Sequence, residues 1–265
     1  MKLILCCDYG LDDAAATVDA LAHAADDGYD CVVLVAIGGN VPRAVSLRNA
    51  KKLVACLSPA VRVEIVDTTA VAQPEEYLTL IHGNDGMGDL FPEAERDRSA
   101  VPFAGFLRGL TGEYDLLSLG PMTLVPRILA RGVCRRFVFM GGNIAEEPNF
   151  HGYEFNHALD RKAFTEVVKR YPHTAVTMDT CRHALLNIQN DPPEGDGLLR
   201  RIVRRSRDLT FVSGEKGCYI WDDVAVKCLR HPSWFETETA VDCDGNVLTV
   251  ARYVHAKPYA EIIEE

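Results

Sequence analysis

The chain has 265 residues, 48% of them hydrophobic and 25% charged, which is enough apolar content to bury a sizeable core in a single domain over 1–265. Its formal net charge of −10 excludes a general nucleic-acid binder, which needs basic surface against phosphates, but leaves room for a small uncharged nucleoside. Nine cysteines, odd in number and irregularly spaced, exclude a disulfide framework and supply no Cys-x-x-Cys zinc pair, so buried thiols in a reducing compartment are expected.

The first apolar run, over 3–7, predicts a buried strand and is too short for the core of a signal peptide. No later stretch approaches the length of a membrane span, so the cytoplasm is the expected location, with no membrane partner. The spacing over 12–25 predicts a helix with Ala14, Val18, Leu21 and Ala22 on one face. A second strand over 31–37 runs into Gly38-Gly39-Asn40, a helix over 43–57 follows, and a third strand is predicted over 61–66. A polar loop occupies 81–95. Strands over 114–119 and 137–140 each run into glycine, at Gly120 and at Gly141-Gly142, and each is followed by a helix, over 122–131 and 158–170. A strand over 175–178, helices over 197–213 and 220–230, and a terminal hairpin over 235–249 turning at Asp244-Gly245-Asn246 complete the pattern.

Short apolar strands alternating with helices imply β-α-β units, hence an α/β fold with an open, mostly parallel, Rossmann-like sheet covered by helices on both faces. Ligands of such sheets bind outside the carboxyl ends of the strands. Asp8, Asn40, Leu119-Gly120 and the segment after Met140 all fall just past predicted strand ends, so the fold would gather them at one edge.

The densest of these features is Asp8-Tyr9-Gly10-Leu11-Asp12-Asp13, between strand and helix. One aspartate there would read as a helix-start carboxylate. Three converging on a strand end repel one another unless a cation or protons intervene, and hard oxygen donors suit Ca²⁺ or Mg²⁺ rather than zinc. The spacing does not fit an EF-hand loop. Cys6 stands where an aspartyl phosphatase of the haloacid dehalogenase type has the first of two aspartates, so a phosphatase is only a weak third reading. Farther along are a glycine-rich loop, His82-Gly83-Asn84-Asp85-Gly86-Met87-Gly88-Asp89, the stretch Glu154-Phe155-Asn156 followed by Asp160, and Trp221-Asp222-Asp223-Val224-Ala225. The first is no phosphate loop, because no Gly-Lys-Ser/Thr follows it.

In order and spacing these segments resemble the inosine-uridine-type nucleoside hydrolase family over nearly the whole chain. The family's Asp-x-Asp-x-Gly-x-Asp-Asp looks like the run from Cys6 to Asp13, and its His-Gly-x-x-Gly-x-Gly looks like His82 to Gly88. Its Leu-Gly-Pro-Leu-Thr-Asn looks like Leu119-Gly120-Pro121-Met122-Thr123-Leu124, and its Met-Gly-Gly looks like Met140-Gly141-Gly142. Its Glu-Phe-Asn-x-x-x-Asp looks like Glu154 to Asp160, and its late His-Asp-Pro-x-Ala looks like Trp221 to Ala225. The resemblance implies hydrolysis of a ribonucleoside's N-glycosidic bond by a calcium-activated water. It assigns Asp8, Asp13, Asp222 and the Leu119 carbonyl to one Ca²⁺, and Asp8 also to the general base. It assigns Asp12, Asn40, Asp222, Glu154 and Asn156 to the ribose hydroxyls, with Asn149 as a further ribose contact one residue closer to the glutamate than in the family pattern. A homodimer or homotetramer is implied in the same way.

The departures carry information of their own. Cys6 replaces the motif's first Asp, Tyr9 its Pro, and Leu124 the Asn after Leu-Thr. Trp221 stands where members accepting several bases have His, and where purine-preferring members have Trp. An aromatic ring stacked on a purine favours its protonated form, so Trp221 implies a purine or purine-like base. His82 matches a family histidine near the base pocket, which would face the base from the other side, where purine-preferring members use a second Trp that this chain lacks. Were the departures marks of decay, the chain would instead be a non-catalytic nucleoside- or ribose-binding protein on the same scaffold.

Overall fold

The structure is a computed structural model that describes residues 1–68, 79–92, 99–213 and 217–265. Nine strands form one sheet: β1 (Lys2–Cys7), β2 (Cys31–Ala36), β3 (Arg62–Asp67), β4 (Val101–Pro102), β5 (Glu113–Ser118), β6 (Val133–Met140), β7 (Thr174–Val176), β8 (Phe235–Val241) and β9 (Val247–Tyr253). Their order is β4-β3-β2-β1-β5-β6-β7-β9-β8, parallel throughout except for the β8–β9 hairpin at one edge. The open, mostly parallel sheet expected from the sequence is therefore present.

Alternation along β1 explains why helices cover both faces. Leu3, Leu5 and Cys7 join one apolar cluster, with α1 (Leu11–His23) and α2 (Arg43–Cys56). Ile4 and Cys6 join another, with α4 (Phe103–Gly109), α5 (Val125–Leu129) and α7 (Arg161–Arg170). Successive side chains of a strand point to opposite faces, so a central strand with two covered faces is apolar at every position, and β1 is buried from Leu3 onward. The remaining helices are α3 (Thr79–His82), α6 (Phe155–Leu159), α8 (Met178–Cys181), α9 (Leu198–Ser213), α10 (Trp221–Arg230) and α11 (Tyr259–Ile262).

The chain runs outward from β1 through β2 and β3 to β4, then returns to lay β5 on the other side of β1. That reversal between β1 and β5 is the place where an open parallel sheet leaves a crevice at its carboxyl edge. Asp8 leaves β1 and Leu119 leaves β5 at this point, and the Leu119 N–H donates to the Cys6 carbonyl at 2.8 Å.

Boundaries differ from expectation where side chains cap the backbone. The helix expected over 158–170 is two, because the Asp160 carboxylate accepts the Ala163 N–H at 3.0 Å and starts α7 afresh. The strand expected over 175–178 stops at Val176, since Thr177 caps α8. The helix expected over 122–131 opens as a 3-10 turn over Met122–Leu124 and becomes α-helical only at Val125. The hairpin extends to Tyr253, beyond the expected 249. In the loop expected over 81–95, residues 93–95 lie outside the described residues.

Candidate active site

The turn from Asp8 to Asp13 is built by its own carboxylates. Asp13, three residues into α1, accepts the Asp8 N–H at 3.1 Å and the Gly10 N–H at 2.8 Å. It thereby satisfies donors that a helix start leaves open. Tyr9 between them has φ +51°, a left-handed conformation uncommon for a side chain of this size, and it is fully buried. Proline, which the family pattern carries at that place, is locked near φ −65° and cannot adopt it. The turn of this chain therefore has its own backbone path.

Asp8 is held from the neighbouring strand end. The Asn40 backbone N–H donates to Asp8 Oδ2 at 2.8 Å, and Asn40 Nδ2 donates to Asp8 Oδ1 at 2.9 Å and to Asp13 Oδ2 at 3.3 Å. Gly39 permits this approach, because a Cβ there would lie 1.8 Å from Asp8 Oδ2. Across the crevice, Asn156 Nδ2 donates to the Leu119 carbonyl at 3.0 Å and to the Met140 carbonyl at 3.3 Å, linking the ends of β5 and β6. Glu154 caps α6: its Oε1 accepts the Asn156 N–H at 2.9 Å, and its Oε2 accepts Gly142 N–H at 2.9 Å and His157 N–H at 3.0 Å. Asp160 of the same motif also accepts from Thr123 Oγ1 at 2.7 Å, so its work is to tie two motif segments together.

Asp12, Asp13 and Asp222 converge from the first turns of α1 and α10, with one carboxylate oxygen of each within 4.8 Å of the others. Asp8 is outside this trio, and Asp12, expected on the ribose, is inside it. Burial, then the charges of Asp8 and Asp12, pushes Asp13 well above the usual carboxylate range. Burial and the charges of Asp12, Asp13 and Asp8 do the same to Asp222. Burial raises Asp8 to about 7 and Glu154 to about 7, against the hydrogen bonds each accepts. Asp12 Oδ1 is buried and has no hydrogen-bond partner among the described residues. An all-oxygen trio with mutual repulsion and an orphaned ligand atom fits a hard divalent cation.

Above the carboxylates opens a cavity of about 710 Å³, within the range of small-ligand sites. Asp12, Asn40, Leu119, Asn156 and Asp222 line its floor side, with Glu154, Asn149, His82 and Trp221 also on its wall. Asp8 and Asp13 lie fully buried alongside. His82, ending α3, accepts the Leu11 N–H on Nδ1 at 3.0 Å, which leaves the neutral ring's proton on Nε2. Burial holds its pKa below the ordinary histidine value. The glycine-rich loop after it is braced internally, Asp89 accepting the Asn84 and Asp85 N–H groups and Asp85 those of Met87 and Asp89.

Sequence reasoning did not single out Glu146, Arg182, Tyr219 or Phe150, which also line the cavity. They are isolated residues in loops or at helix ends, with no motif spacing to mark them. Nor did it find Asp179, which accepts the N–H groups of Ile144, Ala145 and Glu146 at 2.7–3.0 Å and so fixes the loop after β6.

The fold has counterparts among solved structures. A purine-preferring ribonucleoside hydrolase from Gardnerella vaginalis superposes with a TM-score of 0.77 at 21% identity, covering 100% of this chain and 96% of that one. A plant nucleoside hydrolase gives 0.78 at 18% identity over 100% and 98%. An inosine-guanosine nucleoside hydrolase gives 0.69 at 20% identity over 96% and 88%. No curated protein sequence matches the chain. The sequence profile of the inosine-uridine preferring nucleoside hydrolases matches residues 3–263, nearly the whole chain. The chain therefore belongs to the inosine-uridine preferring nucleoside hydrolase family, and it is an enzyme of nucleoside hydrolysis.

Proposed function

We propose that the protein hydrolyses the N-glycosidic bond of a ribonucleoside with a purine or purine-like base, releasing ribose and free base, and that it does so with Ca²⁺. The observation that carries this reading is the trio of half-buried Asp12 and buried Asp13 and Asp222 beside a nucleoside-sized cavity. Asp13, Asp222 and the Leu119 carbonyl would hold the ion together with Asp8. The Leu119 oxygen already accepts from Asn156, and a carbonyl has a second lone pair for a cation. When bound there, the ion would lower the pKa of water and grip the ribose diol.

The remaining work falls to this chain's own groups. Asp8, oriented through both oxygens by Asn40, would take the proton from the attacking water. Asp12, Asn40, Asn149, Glu154 and Asn156 surround the space for the sugar, and the negative charge of Asp12 and Glu154 stabilises an oxocarbenium-like transition state. The departing base takes the C1′–N bond pair into its ring. Trp221 stacks on that base and favours its protonated form. His82, protonated on Nε2, offers it a hydrogen bond from across the cavity. The chain works as a homodimer or homotetramer in this reading.

The test is ribose release from inosine, guanosine, adenosine, uridine and cytidine, with and without chelator, with Asp8→Ala as control. Release from purine nucleosides that chelator abolishes is expected. Tight binding without any turnover would instead make the chain a non-catalytic nucleoside-binding protein.

A further inference from the structure

Besides the carboxylates the cavity has a second polar feature, which the hydrolytic chemistry does not use. Arg182, just past α8, pairs with Glu146 of the loop after β6, with 2.7 Å between Arg182 Nη1 and Glu146 Oε2. The pair is fixed from both ends. Asp179, three residues before Arg182, accepts the backbone N–H of Glu146 at 3.0 Å, so one short helix positions both partners. The Arg182 guanidinium also rides over the Trp221 ring, 5.8 Å from its centre, and Tyr219 meets the other part of that wall edge-on at 6.1 Å. Tyr219 is itself anchored, its hydroxyl accepting from Asn187 Nδ2 at 3.3 Å. Glu146, Arg182, Tyr219 and Trp221 all line the cavity. The side chains of Arg182 and Glu146 remain 31% and 36% exposed, so they are accessible to what enters.

We infer that Arg182 and Glu146 read the edge of the leaving base and select a 6-oxopurine over a 6-aminopurine. This rests on the hydrolase reading above and deepens it. One of the five guanidinium N–H groups is engaged with Glu146, and the others stay available to an acceptor. A planar fork beside a carboxylate presents donor and acceptor side by side. Hypoxanthine and guanine present the complement: a carbonyl O6 with N7 for the arginine, and N1–H for the carboxylate. Adenine in the same pose would set its amino group against the guanidinium and its N1 lone pair against the carboxylate. A site built around such partners rejects the mismatched ligand strongly, because its own polar groups are left unpaired. A phosphate-bearing ligand is the alternative use of an arginine. It fits less well here, since Glu146 already neutralises Arg182, and Glu154, Asp12 and Asp222 line the same cavity.

The experiment compares inosine, purine riboside (which lacks O6 and N1–H), adenosine and inosine 5′-monophosphate on the wild-type protein, Arg182→Met, Arg182→Lys and Glu146→Gln. Two readouts are taken: kcat/KM for ribose release and affinity by calorimetry. The wild type is expected to favour inosine over adenosine by about ten- to a hundredfold. Arg182→Met and Glu146→Gln should each reduce that ratio at least about tenfold, with a smaller change for purine riboside, which keeps only N7 for the arginine, and Arg182→Lys should restore only part of the ratio. Equal ratios in wild type and variants would overturn the inference, and so would a wild-type preference for adenosine. A preference for the 5′-monophosphate that Arg182→Met abolishes would overturn it in favour of phosphate binding. Discrimination in affinity without ribose release would support it while refuting the hydrolase reading, so the two failures are separable.

Discussion

Helices α1 and α10 pack side by side, and their two ends treat buried charge in opposite ways. At their N-terminal ends Asp12, Asp13 and Asp222 meet one another with no lysine or arginine paired to them among the described residues, and burial drives all three carboxyls upward. Toward the other end Asp19, equally buried, meets Lys227 at 3.2 Å, Arg230 at 3.2 Å and His23 at 3.1 Å. Burial works against its ionised form there as well, yet the His23 hydrogen bond and the charges of Lys227 and Arg230 outweigh it and hold Asp19 below the usual range. The same two cations hold the chain's last residues, Lys227 donating to the carbonyls of Ile263 and Glu265 and Arg230 to that of Glu265. A carboxylate matched by protein cations locks the fold. A carboxylate left to others of its kind waits for a charge from outside, and it sits where the cavity opens.

The comparison breaks most visibly through activity. Asp8→Asn should lower ribose release by about 10²–10⁴-fold, the range for loss of a general base, with the protein still folded by circular dichroism. Asp19→Asn should do the reverse. Leaving Lys227 buried without its carboxylate, and Arg230 with Asp27 alone, should cost about 3–5 kcal/mol in urea unfolding, while kcat per folded molecule stays within a few-fold of wild type. If Asp19→Asn left stability intact, the paired end would not be the lock described above.

A cation should act on one end only. Calcium at about 100 times its Kd should raise the unfolding free energy by about 2.7 kcal/mol through linkage. Asp222→Asn should lose that gain, and without calcium it should be no less stable than wild type, because it removes a repelled buried charge. Asp19→Asn should keep the gain in full. Calcium stabilisation that survives in Asp222→Asn would place the ion elsewhere.

The sheet was legible because its signal is local. Leu3 to Cys7 and Cys31 to Ala36 are apolar at every position, as strands with two covered faces must be. The boundaries that shifted did so at single side chains, Thr177 and Asp160, whose caps compete with a continued strand or helix. The short α4 carries no polar periodicity to announce it, and it was not foreseen. The carboxylate turn was legible because its residues are adjacent in sequence. Spacing alone could not say that Asn40 would occupy both oxygens of Asp8 and leave Asp12 with Asp13 and Asp222. The left-handed Tyr9 was equally hidden, since a residue name does not disclose φ. Arg182 and Glu146 meet across 36 residues, and only the folded chain brings them together and Arg182 over Trp221.

The last contrast is the pH response of stability, which the two ends should tilt in opposite directions. In chelator, Asp8 and Glu154 titrate at about 7 in the folded chain, because burial penalises their charged forms. Unfolded, they titrate near about 3.9 and 4.3. Between about pH 4 and 7 the folded protein therefore holds protons that the unfolded chain has released, so stability falls as pH rises through that window. Asp19 works the other way: its folded pKa is depressed, so its contribution is complete above about pH 4 and is lost as pH falls below it. Urea midpoints in chelator should thus decline from about pH 4.5 to 7. Glu154→Gln should flatten the decline by removing one of the retained protons, and Asp19→Asn should leave its slope unchanged while removing the loss on the acid side. A cation-free protein that grew more stable across that window would mean that its buried carboxylates are already matched in the fold, and the contrast between the two ends of α1 and α10 would fail.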